Sequence, residues 1–250
     1  QLGQRAAFDV VVVLDTSSSM KGQPIEDAKR CVADLYHLLG NDDGLAVITF
    51  DKDIRQVVDL TRKADGLGEA LESKLRDVRC GRKTHLWDAM LAGFELLCCR
   101  KRNGGLTPSH PYLIVVTDGE DKTSKFVGKE QVKAILSKPS EHGYGGSRSA
   151  NFHFNFLTVG PQADEAGASQ LCSRKPNMKH FHVLSLSEIS QGFGKVGECL
   201  QLTMEQTRTV GYVSKKLGAE IGHVGLLKAM KEGQQDHIPK CWGLGDPFIS

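Results

Sequence analysis

Acidic and hydroxyl side chains follow two strongly apolar segments of the sequence. Asp15, Ser17 and Ser19 come directly after the run VVVVL, and Asp118 follows the run LIVVT. Two carboxylates that lie close together repel each other unless a cation or a proton compensates for their charge. Hydroxyl and carboxylate oxygens are the ligands that magnesium and calcium prefer in proteins. These residue types therefore predict a site for a hard cation if the two segments end side by side, although they also suit the cap of a helix.

The elements that must position these residues alternate between strands and helices. The valine run does not alternate with polar residues, which is typical of a strand buried on both faces of a parallel sheet. Because a very short turn joins GLAVITFD to DIRQVVDL, these two strands must form an antiparallel hairpin, and the more polar second strand is expected at the edge. The other predicted elements are a helix after Pro24, helices over 66–77 and 85–101, a strand in PYLIVVTDGED, a helix in FVGKEQVKAILSK, a strand in NFHFNFLTVG, a helix over about 162–173, a strand in KHFHVLS, and a helix from Ser185 to about Thr207 that opens with a Ser185–Glu188 capping box. This order predicts an α/β fold.

Composition excludes several classes of protein. The 250 residues carry 32 basic and 30 acidic side chains, a net charge of +2, so no nucleic acid partner is expected. No apolar segment approaches the roughly 20 residues of a membrane-spanning helix, so no membrane insertion is expected. The odd count of seven cysteines, the absence of an N-x-[ST] sequon and the absence of a signal-peptide pattern favour the cytoplasm over the cell exterior.

Motifs of the common enzyme classes with this kind of sheet are missing. No G-x-G-x-x-G follows the first strand, and GRKT at 81–84 lacks the glycine that a Walker A loop has before its lysine. An aspartyl-phosphate mechanism at Asp15 is disfavoured, because Ser17 stands where such phosphotransferases usually carry a second aspartate. No G-x-S-x-G motif indicates a serine hydrolase. His180 and His182 share one face of a predicted strand, but no C-x-x-C supports a site for a soft metal. We therefore expect no catalytic residues.

Three separated motifs resemble the von Willebrand factor type A domain family. DTSSSM at Asp15 matches the D-x-S-x-S pattern of the metal ion-dependent adhesion site of that family, GRKTHLWDAM places Thr84 just ahead of the third predicted helix, and VVTDGED places Asp118 after a central strand. The resemblance covers residues 8–206 and leaves 207–250 as a C-terminal extension that is partly helical or linker-like. It implies a doubly wound, Rossmann-like three-layer sandwich with a mostly parallel six-stranded sheet and one antiparallel edge strand.

The same resemblance implies a ligand set and a function. Ser17, Ser19 and Thr84 would bind the cation directly, and Asp15 and Asp118 would bind it directly or through water. Magnesium is the expected ion, and manganese or calcium would accept the same oxygens. The expected partner is a protein that presents an Asp or Glu side chain to the metal; the oligomeric state is left open. The alternative is a scaffold module of a larger assembly, ubiquitin ligase-like or chelatase-like, in which the metal is only structural.

Overall fold

The computed structural model describes residues 6–99, 109–119, 121, 123–144, 149 and 152–216. The chain divides into two compact units. The first unit spans Ala7–Cys199 and contains the entire sheet. The second unit consists of Gln1–Ala6 and Leu200–Ser250, of which the described part is residue 6 and residues 200–216. Of the predicted extension 207–250, the structure describes a helical stretch as far as Lys216, and the remainder lies outside the described residues.

The central sheet has six strands in the order β3-β2-β1-β4-β5-β6. All neighbouring strands run parallel except the β2–β3 pair, which is an antiparallel hairpin with β3 at the edge. The strands are β1 (Ala7–Asp15), β2 (Gly44–Phe50), β3 (Ile54–Arg62), β4 (Ser109–Thr117), β5 (His153–Val159) and β6 (Met178–Val183). The predicted sheet, with its single antiparallel edge strand, is confirmed.

Helices cover both faces of this sheet, as the predicted three-layer arrangement requires. They are α1 (Gln23–Leu38), α2 (Leu67–Asp77), α3 (Leu86–Cys99), α4 (Lys129–Ser137), α5 (Glu165–Cys172) and α6 (Ile189–Lys216). Apolar residues of α3, α4 and α5 pack in one core cluster with Val11 and Val13 of β1. On the opposite face, Gly192 at the start of α6 lies against Leu157 of β5. No described helix is both long enough and apolar enough to cross a membrane.

The first strand is the centre of the fold. All nine residues of β1 are buried, because β2 and β4 flank the strand and helices cover both of its faces. Gly93 allows α3 to approach the sheet closely, since a Cβ at this position would lie 2.6 Å from Val13 Cγ2. The burial explains why the sequence from Ala7 to Leu14 contains almost no polar residues. The strand can therefore hold its terminal residue, Asp15, in a fixed position.

The predicted start of the last helix is wrong in detail. Ser185 is extended, and its hydroxyl forms a hydrogen bond of 2.8 Å with the Ser187 hydroxyl instead of capping the helix. The Glu188 carboxylate accepts a hydrogen bond from the Leu184 amide rather than from the Ser185 amide. A short 3₁₀ turn over Leu186–Glu188 therefore precedes α6, and no capping box forms. The helix also extends beyond the predicted end at Thr207, to Lys216.

Candidate metal centre

The predicted ligands on β1 and β4 meet because these strands are parallel neighbours. Leu14 of β1 pairs with Val116 of β4, so Asp15 and Asp118 leave the sheet at the same edge. This edge is formed by the carboxyl ends of the parallel strands, where open α/β sheets usually bind ligands. The change in strand order lies here as well, since β2 and β4 flank β1 on opposite sides. The fold therefore brings together two acids that are about one hundred residues apart in the sequence.

Hydrogen bonds connect four of the five predicted ligands. The Asp15 carboxylate accepts one hydrogen bond from the Ser17 amide at 2.8 Å and one from the Thr117 hydroxyl at 2.6 Å. The Ser17 and Ser19 hydroxyl oxygens lie 3.0 Å apart. The Ser17 hydroxyl also donates to Asp118 Oδ1 at 3.5 Å. Two carboxylates and two hydroxyls thus converge on one small volume of oxygen ligands.

The turn after β1 determines where the two serine hydroxyls point. Ser17 is extended and precedes a single 3₁₀ turn over Ser18–Met20, which returns Ser19 toward Ser17. Met20 is buried and anchors this turn in the core, whereas Ser19 is exposed to solvent. Gly22, with φ of 95°, then directs the chain into α1, a conformation that residues with a Cβ rarely adopt. The hydroxyls therefore face the end of the sheet and not the helix.

The Asp15 carboxylate is buried beside a second carboxylate, that of Asp118. Asp15 is fully buried, and burial together with the neighbouring Asp118 raises the pKa of Asp15 from 3.8 to about 7. The hydrogen bonds from Thr117 and Ser17 lower the pKa only in part. A buried carboxylate with a second carboxylate beside it favours either a proton or a cation. The residues at this site therefore fit a divalent metal ion in both charge and ligand type.

Thr84 lies on a separate loop, between α2 and α3. The Gly81 amide donates to the Thr16 carbonyl at 2.8 Å, and the His85 amide donates to the Asp51 carbonyl at 3.2 Å, so both ends of this loop are attached to the sheet edge. Gly81 is required, because a Cβ there would lie 1.8 Å from Asp51 Oδ2. Thr84 itself is buried. The loop brings Thr84 to the same sheet edge as the other four predicted ligands.

Sequence reasoning missed two acids that hold the surrounding loops in place. Asp121, in the loop after β4, accepts a hydrogen bond from the Leu86 amide at 2.8 Å and thereby caps the start of α3. Asp88, in the first turn of α3, accepts hydrogen bonds from the backbone amides of residues 125–127. The two acids attach the loop that follows Asp118 to the helix that follows Thr84. An acid in the first turn of a helix is common, so the sequence alone did not single out Asp88.

The two histidines of β6 both form hydrogen bonds with a threonine of β5. The Thr158 hydroxyl forms hydrogen bonds with His180 Nε2 at 2.8 Å and with His182 Nδ1 at 3.0 Å. Within the part of the chain that the structure describes, no three His, Cys, Asp or Glu side chains are placed to hold a metal ion. The candidate metal centre is consistent with the lack of such a three-residue group among the described residues, because its predicted ligands include only two acids and the others are hydroxyl side chains. Trp87 is buried in the core, as its position in α3 predicts.

A doubly wound sheet with acids and hydroxyls at its carboxyl edge defines a Rossmann-like domain with a candidate cation site. The model of the von Willebrand factor type A domain family matches residues 9–193. The chain therefore belongs to this family, whose members generally act as protein-interaction modules. The resemblance drawn from the three sequence motifs is confirmed at the level of the family and the fold.

Relatives with known names share this region at low identity. The chain is 23% identical over 155 residues to an Arabidopsis thaliana protein named E3 ubiquitin-protein ligase WAV3, covering 58% of this chain and 20% of the relative. It is 27% identical over 114 residues to inter-alpha-trypsin inhibitor heavy chain H4 of Sus scrofa, covering 45% of this chain and 12% of the relative. The matched region is thus a small part of each relative.

Solved structures show the same fold. A von Willebrand factor type A protein from Catenulispora acidiphila superposes with a TM-score of 0.56 at 14% identity, covering 77% of this chain and 42% of that one. Proximal thread matrix protein 1 from the mussel byssus, in a structure described as having a zinc-occupied MIDAS motif, gives a TM-score of 0.56 at 16% identity and covers 77% of this chain and 47% of that one. At such identities the likeness extends to the fold alone.

Proposed function

We propose that this domain binds a protein partner through a divalent cation, with magnesium as the ion and an Asp or Glu side chain of the partner as its additional ligand. The observation that carries the proposal is the pair of carboxylates, Asp15 and Asp118, at the same sheet edge as the hydroxyls of Ser17, Ser19 and Thr84. A buried carboxylate next to a second one destabilises the metal-free fold, so the pair favours a bound cation. A cation removes the repulsion between the two carboxylates.

The ligand types support capture of an acidic partner. The three hydroxyls are neutral, so the two aspartates are the only charged ligands of the five, and their charge balances that of a divalent ion. Bound there, magnesium would supply a positive charge and a coordination position for an incoming carboxylate. Ser19 is exposed, which leaves this side of the site open to a partner. Asp15 is held by the Ser17 amide and the Thr117 hydroxyl, so its orientation is set before any ligand arrives.

The domain is proposed to act by binding rather than by catalysis. A hydrolase or transferase needs a nucleophile that is within hydrogen-bond reach of a base. The Ser17 hydroxyl lies 3.0 Å from the Ser19 hydroxyl and donates to Asp118 only at 3.5 Å, and we assign to both carboxylates the role of balancing the charge of a cation. The named ubiquitin ligase relative is matched over only 20% of its length, so its activity does not transfer to this domain.

Calorimetric titration of magnesium into metal-free protein tests the proposed metal site. We expect saturable binding in the wild type, loss of binding in Asp15→Ala and in Ser17→Ala, and unchanged binding in Asp59→Ala. Asp59 is a suitable control because it is an exposed aspartate on the edge strand β3. Binding that survives in Asp15→Ala would place the ion elsewhere and refute the assignment.

The alternative is a scaffold module in which the metal only stabilises the fold. The match to part of a protein named as a ubiquitin ligase favours this alternative, because such proteins assemble several domains. Chelation separates the two functions once a partner is identified. If the metal forms part of the interface, EDTA abolishes partner binding under conditions where the domain stays folded by circular dichroism. If the metal is structural, binding is lost only together with the fold.

A further inference from the structure

Four exposed basic residues lie on the loops that also carry the predicted metal ligands. Lys21 lies two residues after Ser19, Arg82 and Lys83 immediately precede Thr84, and Lys125 lies in the loop after β4; we call these four residues the basic rim. None of the four side chains forms an ion pair with a described residue, whereas Arg55 further along the same edge is paired with Asp53 at 2.8 Å. Among the described residues, the basic rim is therefore uncompensated positive charge next to the proposed site.

The same sheet edge carries the most exposed large apolar side chains of the described residues. Phe126 is 85% exposed and follows β4, and Leu184 is 75% exposed and follows β6. Phe126 lies in the loop that connects β4 to α4, and Leu184 directly follows β6, which is two strands from β4 in the sheet. Scattered exposed apolar residues are normal on a protein surface. Here, however, the two most exposed ones share the edge at which the partner is expected.

The backbone at Phe126 is held in place by hydrogen bonds, and the side chain is exposed. The Asp88 carboxylate accepts hydrogen bonds from the amides of Lys125, Phe126 and Val127, at 2.7, 3.1 and 2.9 Å. Asp88 is buried, and it lies one helical turn from Thr84. A backbone that is already fixed reduces the conformational entropy that is lost when a partner covers the side chain it carries. This geometry is typical of a binding contact rather than of a loose surface loop.

We infer that the partner segment is acidic and carries an apolar side chain beside its metal-binding carboxylate. One Asp or Glu binds the cation, further acids contact the basic rim, and the apolar side chain covers Phe126 and, on a longer segment, Leu184. This inference rests on the proposed metal-dependent binding and specifies its partner. The positive charge of the basic rim complements the negative charge of such a segment. Three of the four rim residues lie on the turns that also carry Ser19 and Thr84, so they are close to the expected partner. Lys125 connects the rim to Phe126.

A peptide array tests the inference and needs no identified partner. The probe is a set of synthetic peptides with a fixed central Asp and randomised flanking positions, incubated with the domain in magnesium. The wild type should retain peptides enriched in acids and, on one side of the Asp, in Leu, Ile or Phe. Arg82→Gln/Lys83→Gln should lose the acidic enrichment, and Phe126→Ala should lose the apolar enrichment with binding weaker by about fivefold or more.

Two variants at the opposite edge of the sheet serve as matched controls. Leu38 at the end of α1 is 42% exposed, and Lys138 directly follows α4 with an exposed side chain. Helix α1 follows β1 and helix α4 follows β4, and both strands end at the edge of the sheet that carries the candidate metal centre. Since each helix runs back along the sheet, its own end lies at the opposite edge. Leu38→Ala and Lys138→Gln should retain the wild-type peptides, and both should bind magnesium as the wild type does.

The possible failures are distinguishable. If the wild type retains Asp peptides in a magnesium-dependent way but shows no preference at the flanking positions, the inference is wrong and the proposed function stands. If no Asp peptide is retained in magnesium above the level in EDTA, the proposed function itself is wrong. If the control variants lose the flanking preferences as much as the rim and Phe126 variants do, these residues do not form the docking surface.

Discussion

Replacing Asp15 by asparagine should stabilise the metal-free protein and destabilise the magnesium-bound one. Burial and Asp118 raise the pKa of Asp15 from 3.8 to about 7. One pKa unit corresponds to about 1.4 kcal/mol, so the ionised carboxylate lowers the free energy of unfolding by about 4 kcal/mol above pH 7. This destabilisation is absent below the unfolded-state pKa of 3.8. It grows as the pH rises toward the folded-state pKa of about 7 and is complete above it. Asparagine has the same shape and no charge, so it removes the repulsion.

The hydrogen bonds around Asp15 allow the substitution. The amide oxygen of asparagine can accept the bond from the Ser17 amide that Asp15 accepts now. Its NH₂ group can donate to the Thr117 hydroxyl, and this hydroxyl also lies 3.2 Å from the Gly119 carbonyl, to which it can donate in turn. No buried polar group is left without a partner. The gain in stability is therefore expected to be a large part of the electrostatic cost.

Urea unfolding at about pH 8, in EDTA and in excess magnesium, measures both effects, since ligand binding stabilises only the state that binds. In EDTA, Asp15→Asn should unfold at higher urea than the wild type, and in magnesium the order should reverse. Asp43→Asn is the control. Asp43 is also buried and accepts hydrogen bonds from the Phe8 and Gly40 amides, so its loss should destabilise the protein in both conditions. An Asp15→Asn variant that is less stable than the wild type in EDTA would refute the reasoning.

Three further predictions concern residues other than the predicted metal ligands. Gly93→Ala should cost about 1–3 kcal/mol in urea unfolding, because its Cβ would lie 2.6 Å from Val13 Cγ2. Gly194→Ala, at an open position of α6, should instead stabilise by about 0.5–1 kcal/mol, and equal effects of the two would contradict the close approach of α3. Asp88→Ala removes the acceptor of three backbone amides and should cost at least about 3 kcal/mol, with Asp88→Asn restoring part of it. Burial lowers the pKa of His153 from 6.5 to about 4, so the native state resists protonation and up to about 3 kcal/mol of stability is lost as the pH falls from 6.5 to 4. His153→Phe should lose that much less over this range, and an unchanged pH dependence would show that His153 does not cause it.

The main elements of the fold could be predicted because their signals are local. The unbroken apolar run of β1 predicts burial on both faces, and the short link between β2 and β3 permits only an antiparallel hairpin. The end of α6 could not be predicted, because the nearest glycine after Thr207, Gly211, lies inside the helix instead of ending it. The capping box at Ser185 matched a sequence pattern, but the Ser187 hydroxyl competes for the Ser185 side chain. Helix ends depend on such competition, which spacing alone does not reveal.

Residue type and hydrophobic pattern are sufficient to indicate the chemistry of the candidate site. They place the oxygen-bearing side chains of Asp15, Ser17, Ser19 and Asp118 at strand ends. They do not reveal that burial and Asp118 raise the pKa of Asp15, because that effect depends on packing and on a carboxylate about one hundred residues away in the chain.

The supports of the site were likewise decided by the tertiary structure. Asp88 binds amides that are 37 to 39 residues further along the chain, and Gly81 is required only because Asp51 lies against it. A local pattern can indicate where a strand or helix lies. It does not contain the contacts between distant loops, because these depend on how the sheet and its helices pack.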